Sequence, residues 1–264
     1  MPTTRINGIE IYFERSGTGP RLLFLNGSGS TLANSGFLLA PFRARCEVVA
    51  HDQRGMGESA VPSGPYTMAD YAADALALLD HLGWERCRVV GVSFGGMVAQ
   101  ELAVTRPDRV ERLGLLCTSP GGAGGSSYPL HDLAAKPAQE RAAIRRAILD
   151  SRFDEAWLAA HPMDRMIDAQ MRARADGERT AEQRRGEDEQ LGARRHHDVW
   201  DRLPSIACPT FVACGRYDGI APPANSEAIV SRVPHATLHV YEGGHAFFLQ
   251  DKSALADVVA FLAS

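Results

Sequence analysis

A serine, an aspartate and a histidine of this chain are suited to cooperate in nucleophilic catalysis. Ser93 stands in the segment Gly91-Val92-Ser93-Phe94-Gly95-Gly96, between a short apolar run and a stretch with helical periodicity. A strand, a Gly-x-Ser-x-Gly turn and a helix together expose a serine hydroxyl at a sharp bend. A serine hydroxyl is a weak nucleophile at neutral pH, so it needs a base, and the base needs an orienting acid. His245 can serve as the base and Asp218 as the orienting acid, and each follows a predicted strand.

These residues predict acyl transfer to water. His245 would take the proton of Ser93 and return it to the leaving group, while Asp218 fixes the imidazole tautomer. We expect activity to fall at acid pH, near the range of about pH 6.5 in which histidines ordinarily titrate. The tetrahedral intermediate needs two backbone donors. We predict the N–H groups of Phe94 and Ser28, with Gly27 as the second choice.

Apolar runs that alternate with helical patterns predict an α/β fold, with a mostly parallel sheet covered by helices on both faces. The predicted strands cover residues 9–14, 21–25, 46–50, 87–90, 110–117, 209–214 and 237–241, and Asn7-Gly8 signals a hairpin to a short first strand. The predicted helices include one capped by Thr67 and ended by Gly83, one after Ser93 that stops near Pro107, and two near 226–233 and 253–262. Ligands of such sheets bind beyond the carboxyl ends of the strands, where Asn26, Asp52, Ser93, Asp218 and His245 stand.

A region rich in Ala, Arg, Glu and Asp interrupts this alternation. It has helical periodicity and no convincing strand. We predict a helical cap over residues 121–197, inserted into a core formed by 1–120 and 198–264. The predicted substrate-binding residues are Asn26, Met97, Trp157, Met163, Met166 and Phe247, together with Phe94. A stripe of Met and aromatic residues is also typical of a core, and a hydrogen bond of Asn26 within its own loop is the alternative to substrate contact.

Composition excludes several classes of protein. The net charge of -4 argues against a nucleic-acid partner, and no apolar run approaches the roughly 20 residues that span a bilayer. The five cysteines are odd in number and form no Cys-x-x-Cys pair, which favours buried free thiols in a reducing compartment. Met1 to Gly17 lacks the apolar core of a signal peptide. We therefore predict a cytoplasmic protein with no membrane partner, and its oligomeric state stays open.

No cofactor or metal is predicted. His196-His197 is the one pair that resembles metal ligands, but further ligands at suitable spacing are missing, so surface or hinge histidines are the interpretation. No Gly-x-Gly-x-x-Gly segment opens a helix after a strand.

Over essentially its whole length the chain resembles α/β-hydrolase-fold enzymes with a helical cap. The resemblance rests on the serine turn, on residues 52–59, on Gly215-Arg216-Tyr217-Asp218 and on Gly243-Gly244-His245, in the chain order Ser, Asp, His. Many members have His-Gly where this chain has Asn26-Gly27, a departure shared with proteins similar to 3-oxoadipate enol-lactonases. Within such a fold, Asp52 and Arg54 are expected to brace loops behind the site.

The resemblance implies a serine hydrolase that cleaves a small carboxylic ester or lactone, with a thioester also open. A nucleophilic serine argues against haloalkane dehalogenase and epoxide hydrolase activity, which in this fold resemble each other in using aspartate. A carbon–carbon bond hydrolase or a cofactor-free perhydrolase would keep the same residues. A receptor-like protein that holds its ligand under the cap with slow turnover is the alternative from another class.

Overall fold

The computed structural model describes residues 2–264 and contains one eight-stranded sheet, in the order β1-β2-β4-β3-β5-β6-β7-β8. The strands are β1 Thr3–Ile6, β2 Ile9–Ser16, β3 Arg21–Leu25, β4 Glu47–His51, β5 Cys87–Val92, β6 Val110–Leu116, β7 Thr210–Gly215 and β8 Ala236–Tyr241. β2 pairs antiparallel with β1 and β4, and all other neighbours are parallel. The predicted α/β fold class and mostly parallel sheet are confirmed.

Ten α-helices accompany the sheet in the described part of the chain. They are α1 Gly36–Arg43, α2 Met68–His81, α3 Phe94–Thr105, α4 Ala138–Leu149, α5 Glu155–Ala160, α6 Pro162–Asp176, α7 Ala181–Arg195, α8 Pro223–Arg232, α9 Phe247–Gln250 and α10 Lys252–Ala263. Two apolar clusters fill the spaces on either side of the sheet. Leu22 to Leu25 of β3 are wholly buried because the strand is covered on both faces.

Local sequence signals account for several element boundaries. The Thr67 hydroxyl accepts from the N–H of Asp70 at 3.2 Å, and the Asp70 carboxylate accepts from the N–H of Thr67 at 2.9 Å. This reciprocal capping box starts α2 where the sequence predicts a cap. Gly83 has a φ of +66° just beyond the end of α2, as a terminating glycine should.

Helix α1 was not predicted. Pro41 lies inside it, and proline usually marks a helix boundary. Burial of Leu38, Leu39 and Phe42 against the sheet offsets that cost, because the three side chains recur at helical spacing on one face.

Helices α4 to α7 lie between β6 and β7 and contribute no strand to the described sheet. They are called the helical insertion below. The insertion contacts the core closely: the Tyr66 N–H donates to the Glu189 carboxylate of α7 at 3.1 Å, and Arg185 donates to the Val61 carbonyl at 2.8 Å. The division into a core and a cap domain at 121 and 197 stays a prediction.

Within residues 2–264, no helix combines the length and apolar character that a membrane crossing requires. The five cysteines are free, and all but Cys208 are buried. The cytoplasmic location stays a prediction.

Candidate active site

Ser93 lies at a sharp turn between β5 and α3. Its φ of 55° and ψ of −113° are rare for a residue with a side chain. The turn is held on both sides, because the Ser93 N–H donates to the Leu116 carbonyl at 2.8 Å and the Thr118 hydroxyl donates to the Ser93 carbonyl at 2.9 Å. Ser93 itself is only half-buried, so the strain keeps its hydroxyl within reach of a ligand.

The glycines around Ser93 are required by close backbone contacts. A Cβ on Gly95 would lie 2.1 Å from the Leu25 carbonyl oxygen, and one on Gly91 would lie 2.2 Å from the Gly95 carbonyl oxygen. Any side chain at either position would force strand and helix apart. The Gly-x-Ser-x-Gly pattern therefore has a steric cause in this chain.

Ser93, His245 and Asp218 form one hydrogen-bonded chain. The Ser93 Oγ lies 3.0 Å from His245 Nε2, and His245 Nδ1 lies 2.7 Å from Asp218 Oδ2. These contacts leave Nδ1 as the proton donor to the carboxylate and Nε2 as the acceptor facing the hydroxyl. The structure thus brings together three residues that are 152 and 27 positions apart in sequence.

The loops after β7 and β8 fix the acid and the base. The side chain of Asp218 is fully buried, and its Oδ1 accepts from the N–H groups of Ile220 at 2.7 Å and Ala221 at 2.9 Å. The His245 N–H donates to the carbonyl of Leu149 at 2.6 Å, at the end of α4. The helical insertion therefore helps to hold the histidine.

The loop after β3 lies against the serine. A Cβ on Gly27 would be 3.6 Å from the Ser93 Cβ, and the Gly29 N–H donates to Oε1 of Gln190 at 2.7 Å. Within residues 2–264, the N–H groups of Ser28 and Phe94 have no backbone acceptor outside their own elements. Their role as oxyanion donors stays a prediction, and Phe94 opens helix α3, whose N-terminal N–H groups carry partial positive charge.

Asp52 and Arg54 brace neighbouring loops, as predicted. The Asp52 carboxylate accepts from the N–H of Leu32 at 2.7 Å and from that of Glu58 at 2.9 Å, so it ties two loops together. Arg54 makes two bonds to the Asp74 carboxylate of α2, at 2.7 and 2.8 Å. Neither side chain borders the cavity between the loop after β3 and the helical insertion.

A cavity of about 300 Å³ lies between the loop after β3 and the helical insertion, and is called the main cavity below. It is bordered by immediate neighbours of all three members of the hydrogen-bonded chain. Ser28 belongs to the loop beside Ser93, Ile220 donates to Asp218, and the carbonyl of Leu149 holds His245. Ser93, Asp218 and His245 do not themselves border the main cavity, which lies beside the loops that hold them.

None of the predicted substrate-binding residues, Phe94 included, borders the main cavity. Met163 and Met166 are 56% and 49% exposed on α6. The Trp157 ring stacks on His161 with centroids 3.8 Å apart. Phe247 is wholly buried and stacked on Tyr241, and its contact with substrate stays a prediction.

Asn26 and Met97 are also buried. Asn26 is 2% exposed, and its Oδ1 accepts from the Ser35 hydroxyl at 2.9 Å, which agrees with the interpretation that it bonds within its loop region. Met97 lies one helical turn after Ser93 and borders a second cavity of about 220 Å³. Its buried side chain also belongs to the core on that face of the sheet.

Several residues of the insertion that border the main cavity are not among the predicted site residues. They include Arg145 of α4, Met171 and Arg174 of α6, and Gln190 of α7. Their signal in the sequence is weak, since the charged stretch around Gln190 is also typical of a solvated helix face. Gln190 is nevertheless 1% exposed.

No group of three or more potential metal ligands lies together in the described chain. His196 is exposed, whereas His197, at the end of the insertion, is 5% exposed, so of the two interpretations only the hinge one remains for His197. Burial lowers the pKa of His197 to about 4, against the opposing effect of Glu101.

Three curated relatives resemble this chain over most of its length. The dihydrolipoyllysine-residue acetyltransferase component of the acetoin cleaving system of Cupriavidus necator is 32% identical over 91% of this chain, which spans 63% of that protein, less than two thirds. A Variovorax paradoxus protein named "Putative carbamate hydrolase RutD" is 32% identical, with 86% of this chain and 85% of that protein aligned. The 3-oxoadipate enol-lactonase 2 of Acinetobacter baylyi is 25% identical, with 91% and 87% aligned.

Among solved structures, the enol-lactonase from Burkholderia xenovorans LB400 superposes with a TM-score of 0.82 at 22% identity, and each chain is covered completely. That likeness supports the same fold. Residues 20–252 match the family described as the alpha/beta hydrolase fold. The resemblance deduced from the motifs is thereby confirmed, and this chain belongs to the α/β hydrolase fold family.

Proposed function

We propose that this protein hydrolyses a carboxylic ester or lactone through an acyl-enzyme on Ser93. The observation that carries the proposal is the unbroken chain of 3.0 and 2.7 Å contacts from Ser93 Oγ through His245 to the buried Asp218. A base already within hydrogen-bond reach of a strained, accessible serine is the arrangement that covalent acyl transfer needs.

In the proposed reaction, Ser93 Oγ attacks the acyl carbon and its proton passes to His245 Nε2. The carbonyl oxygen becomes an oxyanion that accepts from the N–H groups of Phe94 and Ser28. When the carbon–oxygen bond to the leaving group breaks, His245 returns the proton to that oxygen. A water molecule then attacks the acyl-enzyme with His245 again as base, and the carboxylic acid leaves as Ser93 regains its proton.

The names of the relatives support an ester, lactone or similar acyl substrate. An enol-lactonase and a protein named as a carbamate hydrolase align over most of this chain, and both activities act on an acyl carbon bonded to oxygen or nitrogen. A carbon–carbon hydrolase, a perhydrolase and a slow ligand receptor use the same three side chains, so measured turnover on different substrates decides among them.

The test is hydrolysis of chromogenic acyl esters and of small lactones by the wild type and by Ser93→Ala. The matched control is Ser231→Ala, since Ser231 is an exposed serine of α8. We expect a burst of chromophore with slow-leaving acyl groups and a rate for Ser93→Ala lower by about 10³-fold or more. Ser231→Ala should match the wild type.

Turnover of no ester or lactone above the Ser93→Ala background would reject an ester hydrolase. A single slow turnover with one acyl group retained on Ser93, detected by mass spectrometry, would favour the receptor-like alternative.

A further inference from the structure

The main cavity has an excess of positive charge. Five arginines and three carboxylates border it, namely Arg145, Arg146, Arg172, Arg174, Arg179, Asp168, Asp176 and Glu187. Two of the arginines are neutralised by direct partners, Arg146 by Asp168 at 3.2 Å and Arg179 by Glu187 at 2.6 Å.

Arg174 and Arg145 lack such partners. In the part of the chain that the structure describes, Arg174 donates only to the Ser30 hydroxyl, at 2.9 Å, and Arg145 has neither an ion pair nor a hydrogen bond. Asp176 and Glu187 act on Arg145 only through their electric field. Arg172 is exposed, so water solvates its charge.

Burial makes both unpaired charges costly. The pKa of Arg145 is lowered by burial and by the nearby Arg141, and that of Arg174 by burial and by Arg179. Partly desolvated guanidinium groups without carboxylates are stabilised when an anion fills the space between them. Such residues at the site of a ligand act as receptors for a carboxylate, whose two oxygens match the planar guanidinium fork.

A buried amide points to the same kind of ligand. Gln190 is 1% exposed, and its Oε1 accepts from the Gly29 N–H at 2.7 Å. That bond fixes the orientation of the amide, so Nε2 is the donor that faces away from Gly29. Within residues 2–264, this buried Nε2 has no acceptor, and Gln190 borders the main cavity.

The rest of the cavity wall is apolar. Its members are Leu130, Leu133, Ile148, Leu149, Met171, Leu191 and Ile220. Apolar walls beside two unpaired cations suit a molecule with methylene groups between its reacting carbonyl and an anionic end.

Resting on the proposed function, we propose that the substrate is an ester or lactone that carries a free carboxylate, which Arg145 and Arg174 bind in the main cavity while Gln190 Nε2 donates to a further substrate oxygen. The reacting carbonyl then lies at Ser93, beside the loop that contains Gly27 and Ser28. The two arginines determine which substrates are accepted and take no part in bond cleavage.

The experiment compares monomethyl esters of succinate, glutarate and adipate with neutral esters in which an isopropyl group replaces the free carboxylate. We expect kcat/KM for the anionic ester of the best length to exceed kcat/KM for its neutral counterpart by about 10- to 100-fold. A hydrogen bond to a charged group contributes a factor of this order. Arg174→Gln and Arg145→Gln should each remove most of that preference, measured within each variant as the ratio of kcat/KM for the anionic ester to kcat/KM for the neutral ester. The control is Arg165→Gln, an exposed arginine of the same helix α6 that does not border the cavity.

Binding of the free dicarboxylates to Ser93→Ala, measured by calorimetry, separates the two proposals. Arg174-dependent binding without ester turnover would uphold the anion site and reject the hydrolase. Turnover of neutral and anionic esters with equal kcat/KM, unchanged in both arginine variants, would overturn the anion site and leave the hydrolase standing.

Discussion

The side-chain carbonyl of Gln190, on helix α7, accepts a hydrogen bond of 2.7 Å from the backbone N–H of Gly29. The two residues are 161 positions apart, and their bond joins the helical insertion to the loop beside Ser93. Ser28, the proposed oxyanion donor, directly precedes Gly29. The direction of its N–H group therefore depends on a side chain of the insertion.

Replacement of Gln190 by alanine should lower kcat for a neutral ester by about 10-fold, because the Gly29 N–H loses its acceptor and the loop that contains Ser28 is no longer held. The fall in kcat reports the loop at the oxyanion, whereas a rise in KM would report the loss of the bond from Gln190 Nε2 to the substrate. Steady-state kinetics check this expectation. Gln170→Ala, at an exposed position of α6, is the control, and an unchanged kcat in Gln190→Ala would contradict the positioning role.

Asp218→Asn should lower kcat by about 10³- to 10⁴-fold with little loss of folded structure. The amide has nearly the same shape, but its NH₂ would favour the imidazole tautomer with the proton on Nε2, facing Ser93. Circular dichroism and ester hydrolysis measure the two effects. Asp201→Asn, whose side chain is 93% exposed, should have wild-type activity, and an equal rate for both variants would remove Asp218 from the mechanism.

The sequence predicted most of the core because its signals are local. Apolar runs gave the inner strands, the Thr67 and Asp70 pair gave a helix start, and glycines marked the serine turn. Ser93, Asp218 and His245 could be placed at one edge of the sheet because carboxyl ends of parallel strands meet there. Helix α1 was missed because burial overrides the local effect of its proline.

The walls of the cavity could not be predicted, since they depend on how four helices pack over the core. Met163 and Gln190 illustrate the difficulty: the apolar residue is exposed and the amide in a charged stretch is buried. Residue type alone favours the opposite arrangement. Only the packing of α6 and α7 decides which of their faces meets the loop beside Ser93.

Two glycines of α7 should respond oppositely to alanine. A Cβ on Gly186 would lie 2.0 Å from the Gly55 carbonyl oxygen, whereas a Cβ on Gly192 meets nothing within 4 Å. We expect Gly192→Ala to stabilise the protein by about 0.5–1 kcal/mol through helix propensity, and Gly186→Ala to destabilise it by about 1–3 kcal/mol or more through overpacking. Urea unfolding measures both values. Stabilisation by Gly186→Ala would show that α7 does not rest closely on the loop at Gly55.

Stability should fall between pH 6.5 and pH 4 because two histidines are buried in their neutral form. Burial lowers the pKa of His51 and of His197 to about 4. Between pH 4 and pH 6.5 the two histidines bind protons in the unfolded chain but stay neutral in the folded protein. The free energy of unfolding therefore rises with pH and is highest above pH 6.5. Each histidine should account for a loss of about 2 kcal/mol between pH 7 and pH 5.

His197→Gln should remove roughly half of that loss, as judged from urea unfolding at pH 7 and pH 5. The comparison is the pH dependence within each variant, so a general destabilisation of His197→Gln at both pH values does not affect it. His196→Gln is the matched control, because the side chain of His196 is exposed although His196 directly precedes His197. If the free energy of unfolding of His197→Gln fell between pH 7 and pH 5 as much as that of the wild type, His197 would be protonated in the folded protein. Its side chain would then have to become accessible to water at acid pH.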